Sequence, residues 1–314
     1  MALLITGGAG YIGSHTCVEL LNNGEDIVVT DNFFNSDSSA LDAVKRITGK
    51  DFKIYEADML DMPAIDKIFD ENEIEQVIHC AGYKCAAESI KRPLRYYSNN
   101  LRGTFNVLET MKKYGCTKFI FSSSAAVYGI RHDSRITEGF PMTPSNPYAT
   151  TKMVIENLMN ETQKSSRTWT MISLRYYQPL GAHSSGLIGN RTLLGELEGL
   201  GKLVGSNYPR CDESCVGDYI HVVDLAKAHA AAVNKAREMD GGYRAYNLGL
   251  GRGCSDSELA EIFKKISGID IEAAEDSTDV FLDTSLAEKE LGWKAELSLE
   301  DMCRDAWNFV QKNK

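Results

Sequence analysis

Apolar residues in the first half of the chain fall into short, dense runs rich in β-branched and aromatic residues. Between these runs they recur every three or four positions. The runs Leu3 to Thr6, Ile27 to Thr30, Phe52 to Tyr55, Gln76 to His79, Lys118 to Phe121 and Thr170 to Leu174 predict six strands. Helical spacing covers Tyr11 to Asn22, where Asn22-Asn23-Gly24 supplies a C-terminal stop, and also Leu94 to Lys113 and Tyr148 to Gln163. Strands that are apolar almost throughout, alternating with helices, imply a parallel sheet covered on both faces. The fold class expected is α/β, a Rossmann-like doubly wound parallel sheet. Beyond Pro179 the pattern loosens, and 181–218 is rich in glycine, serine and polar residues. A strand over Tyr219 to Val222 and a helix over Val223 to Glu238 then lead into shorter elements. These features divide the chain into a first domain over 1–178 and a smaller α/β domain over 179–314, with 218–240 packing back on the first.

Composition narrows the field of partners. The 314 residues carry a formal net charge of −10, which disfavours a nucleic-acid backbone or an anionic membrane surface as partner. No apolar run is long enough to cross a bilayer, and the start of the chain lacks the cationic segment of a secretory signal, so a cytoplasmic protein is expected. The eight cysteines (Cys17, Cys80, Cys85, Cys116, Cys211, Cys215, Cys254 and Cys303) are scattered, as free thiols in a reducing compartment would be. Cys211 and Cys215, with His221 downstream, lack the paired spacing and fourth ligand of a zinc site, and no metal is expected.

Two motifs carry chemistry. Gly7-Gly8-Ala9-Gly10-Tyr11-Ile12-Gly13 lies between a predicted strand and a predicted helix. Glycine is needed there so that backbone can approach a pyrophosphate, and the helix N-terminus offers its free N–H groups to the anion. Asp31 ends the second strand. A carboxylate at that place accepts from a ribose 2′-hydroxyl and repels a 2′-phosphate, which favours NAD over NADP. The second motif is Tyr148 with Lys152, four positions apart and so on one helix face. An adjacent ammonium, joined by a cationic nicotinamide, is expected to lower the tyrosine pKa and make the phenol a proton acceptor. Ser124 follows the fifth strand at its C-terminal end, where such sheets carry their chemistry.

Longer stretches make the likeness specific. T-G-G-A-G-Y-I-G-S-H-T from Thr6, D-N-F-F-N-S from Asp31, E-S-I-K-R-P-L-R-Y-Y-S-N-N from Glu88, F-S-S-S-A-A-V-Y-G from Phe121, N-P-Y-A-T-T-K from Asn146, G-A-H-S-S-G-L-I-G from Gly181 and D-Y-I-H-V-V-D-L-A from Asp218 resemble the UDP-glucose (UDP-galactose) 4-epimerase family, an extended short-chain dehydrogenase group. The resemblance implies a bound NAD and inversion at C4 of a nucleotide-hexose through a 4-keto intermediate, with Tyr148 as acid–base, Ser124 in its hydrogen-bond path and Lys152 beside it. It implies NAD contacts from Gly7, Gly10, Tyr11, Ile12, Asp31, Asn32, Asn35, Ser36, Asp58, Met59, Ala81, Gly82, Lys84, Asn99, Ser122, Tyr148, Lys152 and Tyr176. Substrate contacts are implied for Lys84, Ser124, Tyr148 and Gln178, and a homodimer through Leu94 to Lys113 and Tyr148 to Gln163.

The departures from the family pattern fall mainly on the substrate side. Gln178 stands where the family has asparagine, and Ala126 where it has threonine. Gly217 replaces an arginine before D-Y-I-H, and the acidic run Glu275 to Asp279 replaces R-x-G-D. The N-N-L-M-P stretch between Ile188 and Tyr208 is absent, and Cys80 and Cys85 depart from H-F-A-G-L-K-A-V. Guanidinium forks are the natural grip for a diphosphate, so a weak hold on UDP is expected unless Arg191, Lys202 or Arg210 compensates. Two alternatives remain open: an NAD-dependent dehydrogenase or carbonyl reductase acting on a smaller uncharged substrate, and a non-catalytic NAD-binding regulator. The complete Ser/Tyr/Lys trio speaks against the regulator.

Overall fold

The computed structural model describes residues 1–129, 135–191, 218–269 and 280–313. The chain opens β1 (Ala2–Thr6), α1 (Tyr11–Asn22), β2 (Ile27–Asp31), α2 (Ser39–Thr48), β3 (Lys53–Glu56), α3 (Met62–Asp70) and β4 (Ile74–His79). It continues α4 (Ala86–Lys91), α5 (Pro93–Tyr96), a π-helical turn (Tyr97–Leu101), α6 (Arg102–Lys113), β5 (Lys118–Ser122), a 3₁₀ turn (Ala125–Tyr128), β6 (Arg135–Ile136), α7 (Pro147–Ser165), β7 (Thr170–Arg175) and β8 (Gln178–Leu180). The later described elements are β9 (Tyr219–His221), α8 (Val222–Glu238), β10 (Gly242–Asn247), α9 (Asp256–Ser267), β11 (Phe281–Leu282), α10 (Ser285–Leu291) and α11 (Leu299–Lys312).

Seven parallel strands form the central sheet in the order β10-β7-β5-β4-β1-β2-β3. Side chains alternate across the pleat. Leu3 and Ile5 enter one core with Leu20 of α1, Val44 of α2 and Leu225 of α8. Leu4, Val77, Phe119 and Met171 enter the other, with Ile65 of α3, Val107 of α6 and Ile155 of α7. Both faces are therefore covered, which is why the strands read as apolar throughout. After β3 the chain crosses to the other side of β1 to lay down β4. The C-terminal ends of β1 and β4 consequently diverge around a crevice.

The doubly wound α/β sheet agrees with the sequence reading, and the structure adds detail. The stretch Leu94 to Lys113 is α5, the π turn and α6 in succession rather than one uniform α-helix. The strand expected over Phe52 to Tyr55 is displaced by one residue, and α2 and α3 were not anticipated. Strand β10 lies far down the sequence yet pairs with β7, with Tyr243 opposite Met171 and Tyr246 opposite Leu174. Helix α8 packs against α1, and Gln76 of β4 donates to the Val233 carbonyl at 3.3 Å. A third core of Leu180, Tyr219, Leu259, Phe263, Leu299, Met302 and Val310 lies beyond the sheet.

Candidate active site

The glycine turn between β1 and α1 is set by close packing. Gly7 has φ 68°, and a Cβ there would lie 2.7 Å from the Ala81 nitrogen. At Gly13 a Cβ would come within 2.2 Å of the Gly7 carbonyl oxygen. Gly10 caps α1 without a side-chain cap, and no acid occupies the first turn, so the leading amides face the crevice ready for an anion. Asp31 is held at the end of β2. Its Oδ2 accepts from the Ala9 N–H at 3.0 Å, and its Oδ1 from the Phe33 N–H at 2.9 Å and the Ser36 hydroxyl at 2.8 Å.

Above this turn, at the C-terminal ends of β1, β2 and β4, opens a cleft. Gly7, Gly10, Tyr11, Ile12, Asp31, Asn32, Asn35, Asp58, Met59, Ala81, Gly82, Lys84 and Asn99 line it. Thr30, Phe34, Ala57, His79, Cys80, Tyr83, Asn100 and Gly103 also line it, and none of these was expected from the sequence. The cleft fits a dinucleotide: a cradle that admits no Cβ meets a ribose-directed acid, and the buried Thr30 Oγ1 has no partner inside the protein. Five residues implied as cofactor contacts do not line the cleft. Ser36 braces Asp31, and Ser122 hydrogen-bonds Tyr176 at 2.6 Å. Tyr148 and Lys152 stand on α7, beyond the cleft's lining.

A side-chain latch connects the cleft to α7. Asn100, in the π turn, accepts from the Tyr83 N–H at 2.9 Å and donates to the Tyr83 carbonyl at 3.1 Å. It also donates to Thr151 Oγ1 at 3.0 Å, and that hydroxyl donates to the Tyr148 carbonyl at 2.7 Å. π turns recur at functional sites, and here the turn holds the segment after β4 against the turn that carries Tyr148. At its own N-terminus α7 is capped by Asn146, which accepts from the Ala149 N–H at 2.9 Å, and Pro147 fills the first position.

Ser124, Tyr148 and Lys152 converge at the C-terminal edge of β5. Ser124 is buried, with Oγ accepting from the Ala126 N–H at 3.2 Å, and it hydrogen-bonds the Tyr148 phenol. Lys152 donates to the Ser122 carbonyl at 2.7 Å, and its Nζ lies 5.9 Å from the Tyr148 ring centroid. The expected lowering of the tyrosine pKa is corrected by this geometry. Burial pushes the Tyr148 phenol up to about 12, and only the Ser124 hydrogen bond works against that rise. The ammonium that was to favour the phenolate is turned to the Ser122 carbonyl, and burial lowers Lys152 itself to about 8. His79 and His229 take no part as acids, because burial pushes them down to about 3 and about 4.

Below the trio, Glu156 lies one turn beyond Lys152. It accepts from the Ser123 hydroxyl at 2.5 Å, from the Tyr243 hydroxyl at 2.7 Å and from both Nε and Nη2 of the buried Arg175. On the substrate side, Gln178 sits half-buried in β8, paired in register with Tyr219 of β9. Arg191 bonds Ser39 and lies 3.2 Å from Asp37, so it is tied to the segment leading into α2. Lys202, Arg210, Cys211, Cys215, Gly217 and the run Glu275 to Asp279 lie outside the described residues. Among the described residues no cluster of His, Cys, Asp and Glu suits a metal ion, and no helix is long and apolar enough to cross a membrane.

The chain is similar to known proteins over its whole length. The model of the NAD dependent epimerase/dehydratase family matches residues 3–249. UDP-glucose 4-epimerase of Bacillus subtilis is 47% identical over 100% of this chain and 98% of its own length. The enzyme of that name from Haemophilus influenzae is 45% identical with the same two coverages. The crystal structure of UDP-glucose 4-epimerase from Bifidobacterium longum in complex with NAD+ and UDP superposes with a TM-score of 0.88 at 40% identity, covering 100% of this chain and 99% of that one.

Proposed function

We propose that this chain, which belongs to the NAD dependent epimerase/dehydratase family and within it to the UDP-glucose 4-epimerases, is an NAD-dependent isomerase that inverts C4 of a UDP-hexose through a 4-keto intermediate. The observation that carries the reading is the convergence of Ser124, Tyr148 and Lys152 beside a cleft that fits a dinucleotide. When bound, NAD supplies reversible acceptance of the hydride from C4 of the hexose. The protein's own groups do the rest. The α1 amides and the glycine cradle hold the pyrophosphate, and Asp31 takes the adenosine ribose. Tyr148 removes the proton of the 4-hydroxyl and later returns it, with the Ser124 hydroxyl holding the phenol oxygen in line. Lys152, held by its bond to the Ser122 carbonyl, would keep a cation beside Tyr148 when the cofactor is bound. Lys84 and Gln178 are assigned to the substrate side.

Residues 1–178 take the cofactor role and 179–314 the substrate role. A homodimer in the cytoplasm is inferred, and the exposed Ile90, Leu94 and Phe105 along α4, α5 and α6 support the association. The dehydrogenase alternative drew on Gly217 and on Glu275 to Asp279, which are not among the described residues, and nothing in the described site favours it.

The test supplies UDP-galactose in D2O without added cofactor. UDP-glucose should form without deuterium at C4, because the hydride returns within the site. Accumulation of free keto sugar with NADH, or no interconversion, overturns the reading. Calorimetry with UDP alone addresses the substrate grip separately. Binding weaker than micromolar, tightened by Gly217→Arg, is expected.

A further inference from the structure

A grouping of aromatic and cationic side chains outside the catalytic trio lies at the rim of the cofactor cleft. Phe34 comes from the segment after β2 and Tyr83 from the segment after β4. Both line the cleft, and their rings meet with centroids 5.6 Å apart at 54°. In the sheet, β2 and β4 flank β1 on opposite sides. A contact between these two segments therefore crosses over the end of β1, where the glycine turn sits. Arg95 of α5 completes the bridge. Its guanidinium carbon lies 5.1 Å from the Phe34 centroid and 4.7 Å from the Tyr83 centroid, both within cation–π reach.

Each member is held by its neighbours. Arg95 donates to Glu88 Oε1 at 2.7 Å, and Tyr96 donates to the other oxygen of that carboxylate at 3.0 Å. Tyr83 is fixed through both its N–H and its carbonyl by Asn100 and packs on Tyr96, with centroids 5.5 Å apart. Phe34 follows Phe33, whose left-handed φ of 53° is held by N–H donation to Asp31 Oδ1. Yet Phe34 remains 60% exposed, so the contact with Tyr83 and Arg95 is what it has to lose. An aromatic kept in water on one side and stacked on the other is poorly explained as core packing.

We propose that Phe34, Arg95 and Tyr83 form a strap across the cofactor cleft, whose opening sets the rate at which NAD(H) leaves the protein. The proposal rests on the assignment of NAD to this cleft. The bridge must part for a dinucleotide to pass between the segments after β2 and β4, so the stack raises the barrier to release. The arginine also brings a positive charge to the rim of the cleft in a chain of net charge −10.

The test uses the full chain loaded with NADH and chased with excess NAD+, following loss of the bound-NADH fluorescence. Phe34→Ala is the first variant, because its exposed side chain is not needed for folding. Arg95→Ala is the second. Each should release NADH about tenfold faster than the parent, in keeping with one or two partly desolvated cation–π contacts. The double variant should release no faster than about the faster single one, because the stack is shared. Phe34→Trp, which restores a face for Arg95, should release at close to the parental rate. Unchanged release in Phe34→Ala, or effects that multiply in the double variant, overturns the strap while leaving NAD in its cleft. A parent that binds no NADH overturns both the strap and the cofactor assignment.

Discussion

Replacing Arg175 with methionine tests how the catalytic helix is anchored. The guanidinium and Glu156 are an ion pair with side chains 5% and 0% exposed. Burial works against the Arg175 charge, and the Glu156 carboxylate outweighs it, holding the guanidinium above its ordinary range. Methionine fills much of the volume and removes the charge, which strands a carboxylate in the interior. Breaking a buried pair from one side costs about 3–5 kcal/mol. Ser123 and Tyr243 would still donate to Glu156, which places the expected loss near the lower end, about 3 kcal/mol. In thermal unfolding of a 314-residue chain that corresponds to a fall of roughly 4–6 °C.

The double variant Glu156→Gln/Arg175→Met removes both charges, and should recover about half of the lost stability because the cost lies in the uncompensated charge. Turnover should also fall in Arg175→Met, with kcat more affected than KM, since Glu156 ties Ser123 beside Ser124 to the turn carrying Lys152. A loss below about 1 kcal/mol in the single variant, or a double variant as unstable as the two single losses added together, would refute the account.

Other substitutions separate the remaining roles. Tyr148→Phe should keep NAD bound and lose at least about a thousandfold in turnover, since it deletes only the titrating hydroxyl; bound cofactor is read by absorbance and turnover by product formation. Asp31→Ala should narrow the preference for NAD over NADP in dinucleotide titrations, and an unchanged ratio would remove Asp31 from that role. For Lys152, burial lowers the folded pKa from 10.5 to about 8. The unfolded chain therefore binds more protons between these values, and this group's contribution to stability improves as pH rises across that window. Denaturation from pH 7 to 10 should show the parent gaining on Lys152→Met by an amount on the order of 3 kcal/mol, and parallel curves would contradict the buried ammonium.

The parts of the fold that were legible in the sequence are those where one local requirement dominates. Leu3 to Thr6, the glycines at 7, 10 and 13, and Asp31 each answer to a constraint within a few residues, and so do Tyr148 and Lys152 one helical turn apart. The less legible parts depend on distant partners. Strand β10 mixes exposed Arg244 with buried Tyr246 and Asn247, a weak alternation that only the edge of β7 resolves. The π turn carries no composition signal, because it is set by Asn100 reaching both Tyr83 and Thr151. Phe34, Tyr83 and Arg95 lie on three separate segments, and the sheet order alone brings them together. The tyrosine pKa is illegible for a related reason. Helical spacing puts Lys152 beside Tyr148 but gives no sign that its ammonium turns to the Ser122 carbonyl.

The pairing of β10 with β7 also has a consequence for how the chain is made. Every residue of β7 is buried, and its outer neighbour is built from a segment that emerges from the ribosome only after 176–241. Until then the nascent chain presents a bare strand edge, with unpaired N–H and C=O groups ready to recruit another copy. Helix α8, which covers α1 and part of the first core, arrives equally late. A fragment cut at residue 178 should therefore self-associate, whereas one that runs through Asn247 carries its own edge strand. Synthesis has to deliver α8 and β10 before the first core and the edge of the sheet can close.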